Sequence, residues 1–421
     1  MLFINSKLKL SGTTRFRSLM THDARPVSPP AICPDVILPG ATLGILGSGQ
    51  LGRMFAQAAA RLGYRVHVYS PNEDSPAGQV ANQQTVAAYS DIAALTKFAQ
   101  SVAVVTLEFE NISTAAADTV AQYAPVRPSG HVLHIAQNRL REKRFLEDMG
   151  IDCAPFADVT TRAQLAVAIN QIGLPAVLKT ADSGYDGKGQ TVVHASPKGD
   201  PKAVSAADAA WDRIGRQPAI LEGWIDYQCE LSVLVARSPS GELAVHGPIA
   251  NDHENHILDI STFPLAELES CAEAALEIGR KIATALDLVG FACVEFFLTK
   301  GGRLLVNEIA PRPHNSGHLT IDASTTSQFE QQVRAICGLP LGSTEPISAA
   351  AMVNLLGDLW QTGEPCWRSV LADPHVRLHL YGKAQPRPGR KMGHLTVLAD
   401  TAEDAAQRAQ AARRLLVSSK T

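Results

Sequence analysis

From Ala41 onward, short apolar runs alternate with stretches whose apolar residues recur every three or four positions. The pattern predicts a strand over Ala41 to Leu46, a glycine-rich turn, a helix from Leu51 to Leu62 and a strand over Arg65 to Tyr69. A helix from Asp91 to Ala99 and a strand over Val102 to Leu107 follow. Such alternation implies a parallel, doubly wound sheet, whose strand ends at Tyr69-Ser70 and Thr106-Leu107-Glu108 open onto a ligand crevice. A second unit begins with the charged helix Asn138 to Met149. It includes the strand Pro175 to Thr180, a glycine-rich loop Ser183 to Gln190 and the strand Ala219 to Trp224. A third stretch holds an amphipathic helix from Pro264 to Leu286 and a hairpin between Gly290 and Asn315. After Pro340 come strand-like Ala349 to Leu355 and Arg377 to Tyr381, a basic loop, and a final helix Thr401 to Leu416.

The hairpin carries the strongest chemical signal. Gly301-Gly302 suits a two-residue turn, which pairs residues whose numbers sum to 603 and sets Glu295 opposite Glu308. Directly opposed residues hold their β-carbons roughly 5 Å apart and like charges there repel, so an apolar sheet has little structural reason for the pair. A divalent cation supplies one, since carboxylates and substrate phosphates are the usual ligands of Mg²⁺. Two solvated carboxylates on an exposed face are the alternative.

Composition narrows the class. At 421 residues the chain is long enough for two or more domains. With 45% hydrophobic residues, 19% charged residues and a formal net charge of -3, it lacks the basic excess of a nucleic-acid binder. The seven cysteines are scattered singly, so neither a disulfide framework nor a structural zinc site is indicated, and a reducing cytoplasm is the expected setting. No apolar run reaches the roughly 18 residues a membrane helix needs. Residues 1–38 contain Ser, Arg and Lys, few acidic residues and a Pro-rich end. They read as a disordered leader, with a transit peptide or a true start at Met20 as alternatives.

Three further segments bear on ligands. Gly47-Ser-Gly49-Gln-Leu-Gly52 follows a strand and opens a helix, so its amides offer an anion site. A nicotinamide-binding fold wants an acidic residue ending the second strand, yet that strand ends in Ser70-Pro71. A phosphate of a smaller ligand, or simply a tight turn, remain as readings. Ser183-Gly-Tyr-Asp-Gly-Lys-Gly-Gln190 lacks the Gly-Lys-Ser/Thr and following helix of a P-loop. It leads into the strand-like Thr191 to His194 and reads as a flap over phosphates, or as a plain hairpin turn. Lys179 sits in a mostly apolar strand, where an unpaired ammonium is costly and a phosphate partner is expected.

Lys179, the flap, the Glu222 to Ile225 hinge, Glu230, Glu295 and Asn307-Glu308, in this order, resemble the ATP-grasp superfamily. Within it the chain resembles the N5-carboxyaminoimidazole ribonucleotide synthetases. The closer match rests on Gly47 to Met54, Thr106 to Asn111, Gly184 to Gln190, Pro311-Arg-Pro-His-Asn-Ser-Gly-His318 and Arg387-Pro-Gly-Arg-Lys-Met-Gly-His394. The resemblance implies an α/β and α+β fold: a leader over 1–38, a doubly wound, Rossmann-like domain over 39–137, an ATP-grasp domain of two α+β subdomains over 138–340 with its lid at about 155–225, and a small β-rich domain over 341–421.

It also implies an enzyme that uses Mg²⁺ and ATP to carboxylate 5-aminoimidazole ribonucleotide with bicarbonate through carboxyphosphate, as a homodimer. Arg139 and Lys179 would contact phosphates, and Gly184, Tyr185, Asp186, Gly187, Lys188, Gly189 and Gln190 would form the flap. Glu222, Gly223, Trp224 and Ile225 would hold adenine, Glu230 the ribose, and His253 the nucleotide. Glu295 and Glu308 would bind Mg²⁺ with Asn307 beside them. Arg312, His314 and Asn315, assisted by Lys383, would hold bicarbonate and carboxyphosphate. Gly49, Gln50, Leu51, Tyr185, Asp186, Arg390 and Lys391, with Glu108 or Glu110, would hold the ribonucleotide, and Asp186 or His314 would take the amine proton. Ala310 stands where many relatives have Asn, so Asn307 or water completes the metal shell; His256 stands where relatives often have Gly, and Lys188 where they more often have Arg. Other ATP-grasp ligases, such as a formate-using formyltransferase or a biotin carboxylase, a nicotinamide-dependent oxidoreductase and a nucleotide sensor are the competing readings.

Overall fold

The alternation from Ala41 is realised as β1 (Thr42–Leu46), α1 (Gln50–Arg61), β2 (Arg65–Ser70), β3 (Gln83–Val86), α2 (Ile92–Gln100) and β4 (Val104–Leu107). These and all later coordinates come from a computed structural model, which describes residues 36–182, 189–194 and 202–417. Expectations for residues 1–35, for Gly184, Tyr185, Asp186, Gly187 and Lys188 of the flap, and for 418–421 lie outside the described residues. The sheet is parallel in the order β3-β2-β1-β4, with Leu46 paired to both Tyr69 and Leu107. Asp91 caps α2 by accepting from Ala94 N at 3.0 Å, which is why that helix starts one residue later than its pattern suggests. Leu51, Met54 and Phe55 on α1 pack against Leu43, Val66 and Val104. The short helices α3 (Thr114–Ala121) and α4 (Gly130–Ala136) complete this part.

The lid is a separate antiparallel sheet. After α5 (Arg139–Asp148) come β5 (Phe156–Val159), α6 (Arg162–Ile172), β6 (Ala176–Thr180), β7 (Gln190–Val193), α7 (Lys202–Arg213) and β8 (Ala219–Gly223), with strand order β5-β8-β6-β7. Leu165, Leu178, Val193, Trp211 and Leu221 form its core.

The remaining strands form one eight-stranded antiparallel sheet. They are β9 (Tyr227–Arg237), β10 (Leu243–Glu254), β11 (Ile257–Phe263), β12 (Gly290–Thr299), β13 (Leu304–Ala310), β14 (Ala349–Leu356), β15 (Val376–Leu380) and β16 (Lys391–Ala399), in the order β13-β12-β9-β10-β11-β14-β16-β15. The strands after Pro340 thus continue the sheet that holds the hairpin, through pairs such as Phe263 with Ala350. Among these strands lie α8 (Glu269–Ala285), α9 (Thr320–Ala323), α10 (Gln328–Cys337) and α11 (Trp367–Leu371), with α12 (Ala402–Leu415) last. The helix expected from Pro264 starts as α-helix only at Glu269, because β11 runs to Phe263 and a single tight turn at Ala266–Leu268 intervenes. Tyr381, just beyond β15, is buried in the same cluster as Leu43 and Phe55, so the C-terminal loop is anchored against the N-terminal sheet.

Candidate active site

Glu295 and Glu308 face each other across β12 and β13 by a different route from the one expected. Thr299 N donates to Arg303 O at 2.9 Å and Gly302 N to Thr299 O at 2.9 Å, so the turn spans three residues, with Gly302 at φ 77°. That shifts the pairing by one, as in Phe296 with Val306. A β-bulge at Asn307 then restores the offset and sets Asn307 and Glu308 together against Glu295.

His314, beyond β13, lies 2.9 Å from Glu295 through Nε2, while its Nδ1 contacts Ser316 Oγ at 2.8 Å. Burial raises the Glu295 carboxyl, but His314 outweighs it and holds the group below the usual range. At Glu308 burial and the charge of Glu295 both push upward. A cation between the two carboxylates relieves that repulsion. Asn315, next to His314 in the chain, is buried with neither amide atom hydrogen-bonded among the described residues. Two opposed carboxylates fit a hard cation with oxygen ligands.

Arg312 is held by Glu110, with Nε donating to Oε2 at 2.5 Å and Nη2 to Oε1 at 3.1 Å. A fork of this kind fixes the guanidinium plane while other N–H groups stay available. The sequence motif marked both residues without indicating that they pair.

Around the lid strand β6, cations gather. Lys179 Nζ lies 2.8 Å from Glu222 Oε2, and both side chains are largely buried. Burial alone would raise the Glu222 carboxyl, but Lys179, Lys143 and Arg139 hold it down at about 2. Glu222, read from sequence as part of an adenine hinge, is thus the counter-ion of Lys179. The amides of Gly223 and Trp224 already donate to Pro155 O and Pro175 O at 2.8 and 3.2 Å, which leaves the Trp224 ring half exposed and Ile225 next along. Arg139 Nη1 donates to Thr180 O at 2.9 Å, tying α5 to the lid. Gly189, at φ 71°, passes so close to Thr180 that a β-carbon would meet its Oγ1 at 2.7 Å, and Gln190 opens β7. Glu230 is engaged on both oxygens, by Tyr227 Oη at 2.7 Å and His253 Nδ1 at 3.1 Å. Burial disfavours His253's charge, yet the Glu230 contact prevails and raises its pKa.

The glycine-rich turn, whose amides the sequence offers to an anion, is occupied by a carboxylate of the chain itself. Its amides face the protein's own Glu108, which accepts from Gly49 N at 2.5 Å and Leu51 N at 3.2 Å at the start of α1. Gln50 lies between them as the first residue of α1. A β-carbon at Gly47 would meet Glu108 Cβ at 2.5 Å, and one at Gly49 would meet Oε1 at 2.4 Å. These glycines make room for a carboxylate, and the phosphate of a small ligand would have to displace it. Burial raises the Glu108 pKa against the pull of the Gly49, Gly52 and Leu51 amides. Gly49→Ala is expected to cost about 1–3 kcal/mol of stability through overpacking, read by urea denaturation.

Lys383 lies near enough to Glu108 to favour its charged form, and its Nζ donates to Lys391 O at 2.6 Å. Gln79 Nε2 donates to Gly382 O at 3.0 Å, pinning this loop to the N-terminal part. Arg390 Nη1 donates to Gln385 O at 2.8 Å, and Lys391 opens β16 close enough to His253 to act on its charge. Sequence reasoning missed Glu142, which burial raises to about 8, and Lys143, both on α5 beneath the hairpin. No periodic signal separates them from the other charged residues of that helix.

Three family models match successive parts of the chain: a ribonucleotide synthetase preATP-grasp domain over residues 40–137, an ATP-grasp domain over 144–329, and a phosphoribosylaminoimidazole carboxylase C-terminal domain over 350–408. The N5-carboxyaminoimidazole ribonucleotide synthase of Bacillus subtilis is 42% identical over 367 residues, covering 86% of this chain and 93% of that protein. A crystal structure of an N5-carboxyaminoimidazole ribonucleotide synthetase with ADP superposes at a TM-score of 0.85 with 40% identity, covering 90% of this chain and 98% of that one. The Aspergillus clavatus N5-carboxyaminoimidazole synthase, solved with ADP and 5-aminoimidazole ribonucleotide, gives 0.81 at 29% identity, covering 89% and 98%.

Proposed function

Because the chain belongs to the N5-carboxyaminoimidazole ribonucleotide synthase family of the ATP-grasp superfamily, we propose that it converts ATP, bicarbonate and 5-aminoimidazole ribonucleotide into N5-carboxyaminoimidazole ribonucleotide, ADP and phosphate in purine biosynthesis. The observation that carries the assignment of the site is the opposed Glu295–Glu308 pair, flanked by His314 and the Glu110-braced Arg312.

Bicarbonate is a poor electrophile, so its oxygen first takes the γ-phosphoryl group as the bond to ADP breaks, giving carboxyphosphate. Two anions must approach for this, and Arg139, Lys179 and Arg312 supply fixed positive charge along their path. Mg²⁺, held by Glu295 and Glu308, supplies charge neutralisation at the transferring phosphoryl group when bound. Arg312, His314 and Asn315 hold the bicarbonate end, Asn315 through the amide that has no partner among the described residues. The ribonucleotide amine then attacks the carboxyl carbon and phosphate leaves. His314 or Asp186 takes the amine proton. Glu108, Lys383, Arg390 and Lys391 form the ribonucleotide side, and Glu222 to Ile225, Glu230 and His253 the nucleoside side.

The test is ADP release by the purified chain with Mg-ATP and bicarbonate, with and without the ribonucleotide. Release that depends on the ribonucleotide, and stops on EDTA addition, supports the reading. ATP binding without that dependence points to another amine or carboxylate substrate. A homodimer in the cytoplasm belongs to the same proposal, and sedimentation at micromolar concentration checks the assembly.

A further inference from the structure

β13 is the edge strand of the eight-stranded sheet, so its outward main-chain groups need partners from outside the sheet. Val306 N donates to Asp152 O at 2.8 Å. Two adjacent side chains of α5 serve others. Lys143, only 1% exposed, donates to Val306 O at 3.1 Å and Asn307 O at 2.7 Å. Glu142, 3% exposed, accepts from Ile309 N at 2.9 Å. The two side chains thus bracket Glu308, holding the carbonyl before it and the amide after it, at the place where the bulge breaks the regular ladder.

Packing alone does not call for these residues. A methionine has nearly the length of lysine and would fill the same space without the cost of burying an ammonium. The two charged groups instead meet the main-chain groups that a bulge leaves unpaired. The same helix carries Arg139, whose guanidinium donates to Thr180 O in the lid, so α5 connects the bulge to the lid strand of Lys179.

We propose that Glu142 and Lys143 are positioning residues of the metal site: they lock the bulge at Asn307 and thereby aim the Glu308 carboxylate at the cation shared with Glu295. The inference rests on the reading of Glu295 and Glu308 as the metal pair.

The experiment measures the Mg²⁺ half-saturation of ribonucleotide-dependent ADP release, kcat at saturating Mg²⁺, and thermal unfolding, for the full chain carrying Lys143→Met, Lys143→Arg, Glu142→Leu or Glu142→Gln. Lys143→Met and Glu142→Leu are expected to raise the half-saturation by roughly 10-fold or more, the scale on which groups behind a metal ligand act. Lys143→Arg and Glu142→Gln, which keep a donor and an acceptor, should stay within about 3-fold. A folded Lys143→Met or Glu142→Leu with unchanged half-saturation overturns the proposal, whatever its unfolding temperature. If Lys143→Met does not fold, Glu142→Leu decides; if neither folds, the pair is purely structural and the proposal falls. Absence of ribonucleotide-dependent release in the unaltered chain would instead count against the proposed function.

Discussion

Glu308→Gln lowers ribonucleotide-dependent ATP turnover by roughly a thousandfold, the scale of losing one preorganised electrostatic element of a transition-state site, while the chain stays folded. Burial and the facing Glu295 charge raise the Glu308 carboxyl on folding. A carboxyl raised in this way stabilises the folded state only while it is protonated, so near neutral pH its charge works against folding. The glutamine removes that charge. Its unfolding temperature should therefore equal or exceed that of the unaltered chain at pH 7 to 8, and the difference should shrink as the pH falls through the raised folded-state value towards the ordinary carboxyl value of 4.5, below which it is gone. Turnover assays and calorimetry across pH check both halves. Loss of activity with a matching loss of stability would mark Glu308 as a structural residue, since functional sites characteristically trade stability for activity.

Lys179→Met produces the second large effect, and here activity and stability fall together. It strands the Glu222 carboxylate in a buried position 2.8 Å from the missing ammonium, and breaking a buried pair from one side costs about 3–5 kcal/mol. Adding Glu222→Gln removes the stranded charge and is expected to recover most of that loss in urea denaturation. ATP turnover should not recover if Lys179 is the proposed phosphate contact, because its cation is still absent. A double variant that regains turnover along with stability would reduce Lys179 to a structural partner of Glu222.

The parts of the fold that sequence made legible are those set by local periodicity. The apolar run of β1, the turn and the amphipathic face of α1 each lie within a dozen or so residues, and Asp91, Asn138 and Thr401 act as helix caps at the positions their side chains favour. The carboxylate pair was legible for a less direct reason. The turn is one residue longer than Gly301-Gly302 suggests, and the extra residue at Asn307 cancels that error before Glu308 is reached.

What sequence did not reveal depends on partners far apart in the chain. Glu108 reaches back 59 residues to Gly49, and Arg312 reaches 202 residues to Glu110. Lys143 meets a carbonyl 163 residues away. No pattern of spacing encodes such pairs, and the glycines of the first turn look the same whether they admit a phosphate or a carboxylate. The continuity of β11 with β14 was hidden likewise, because edge-to-edge pairing between segments some 90 residues apart leaves only a run of small apolar residues as its trace.

The most direct test of the account follows one oxygen atom. If the γ-phosphoryl group is transferred to bicarbonate within this site, turnover of ¹⁸O-labelled bicarbonate with ATP and 5-aminoimidazole ribonucleotide must leave one labelled oxygen in each inorganic phosphate released, with ADP unlabelled. Phosphate that carries no label would mean that water or another acceptor receives the phosphoryl group, and would contradict the proposed path through carboxyphosphate.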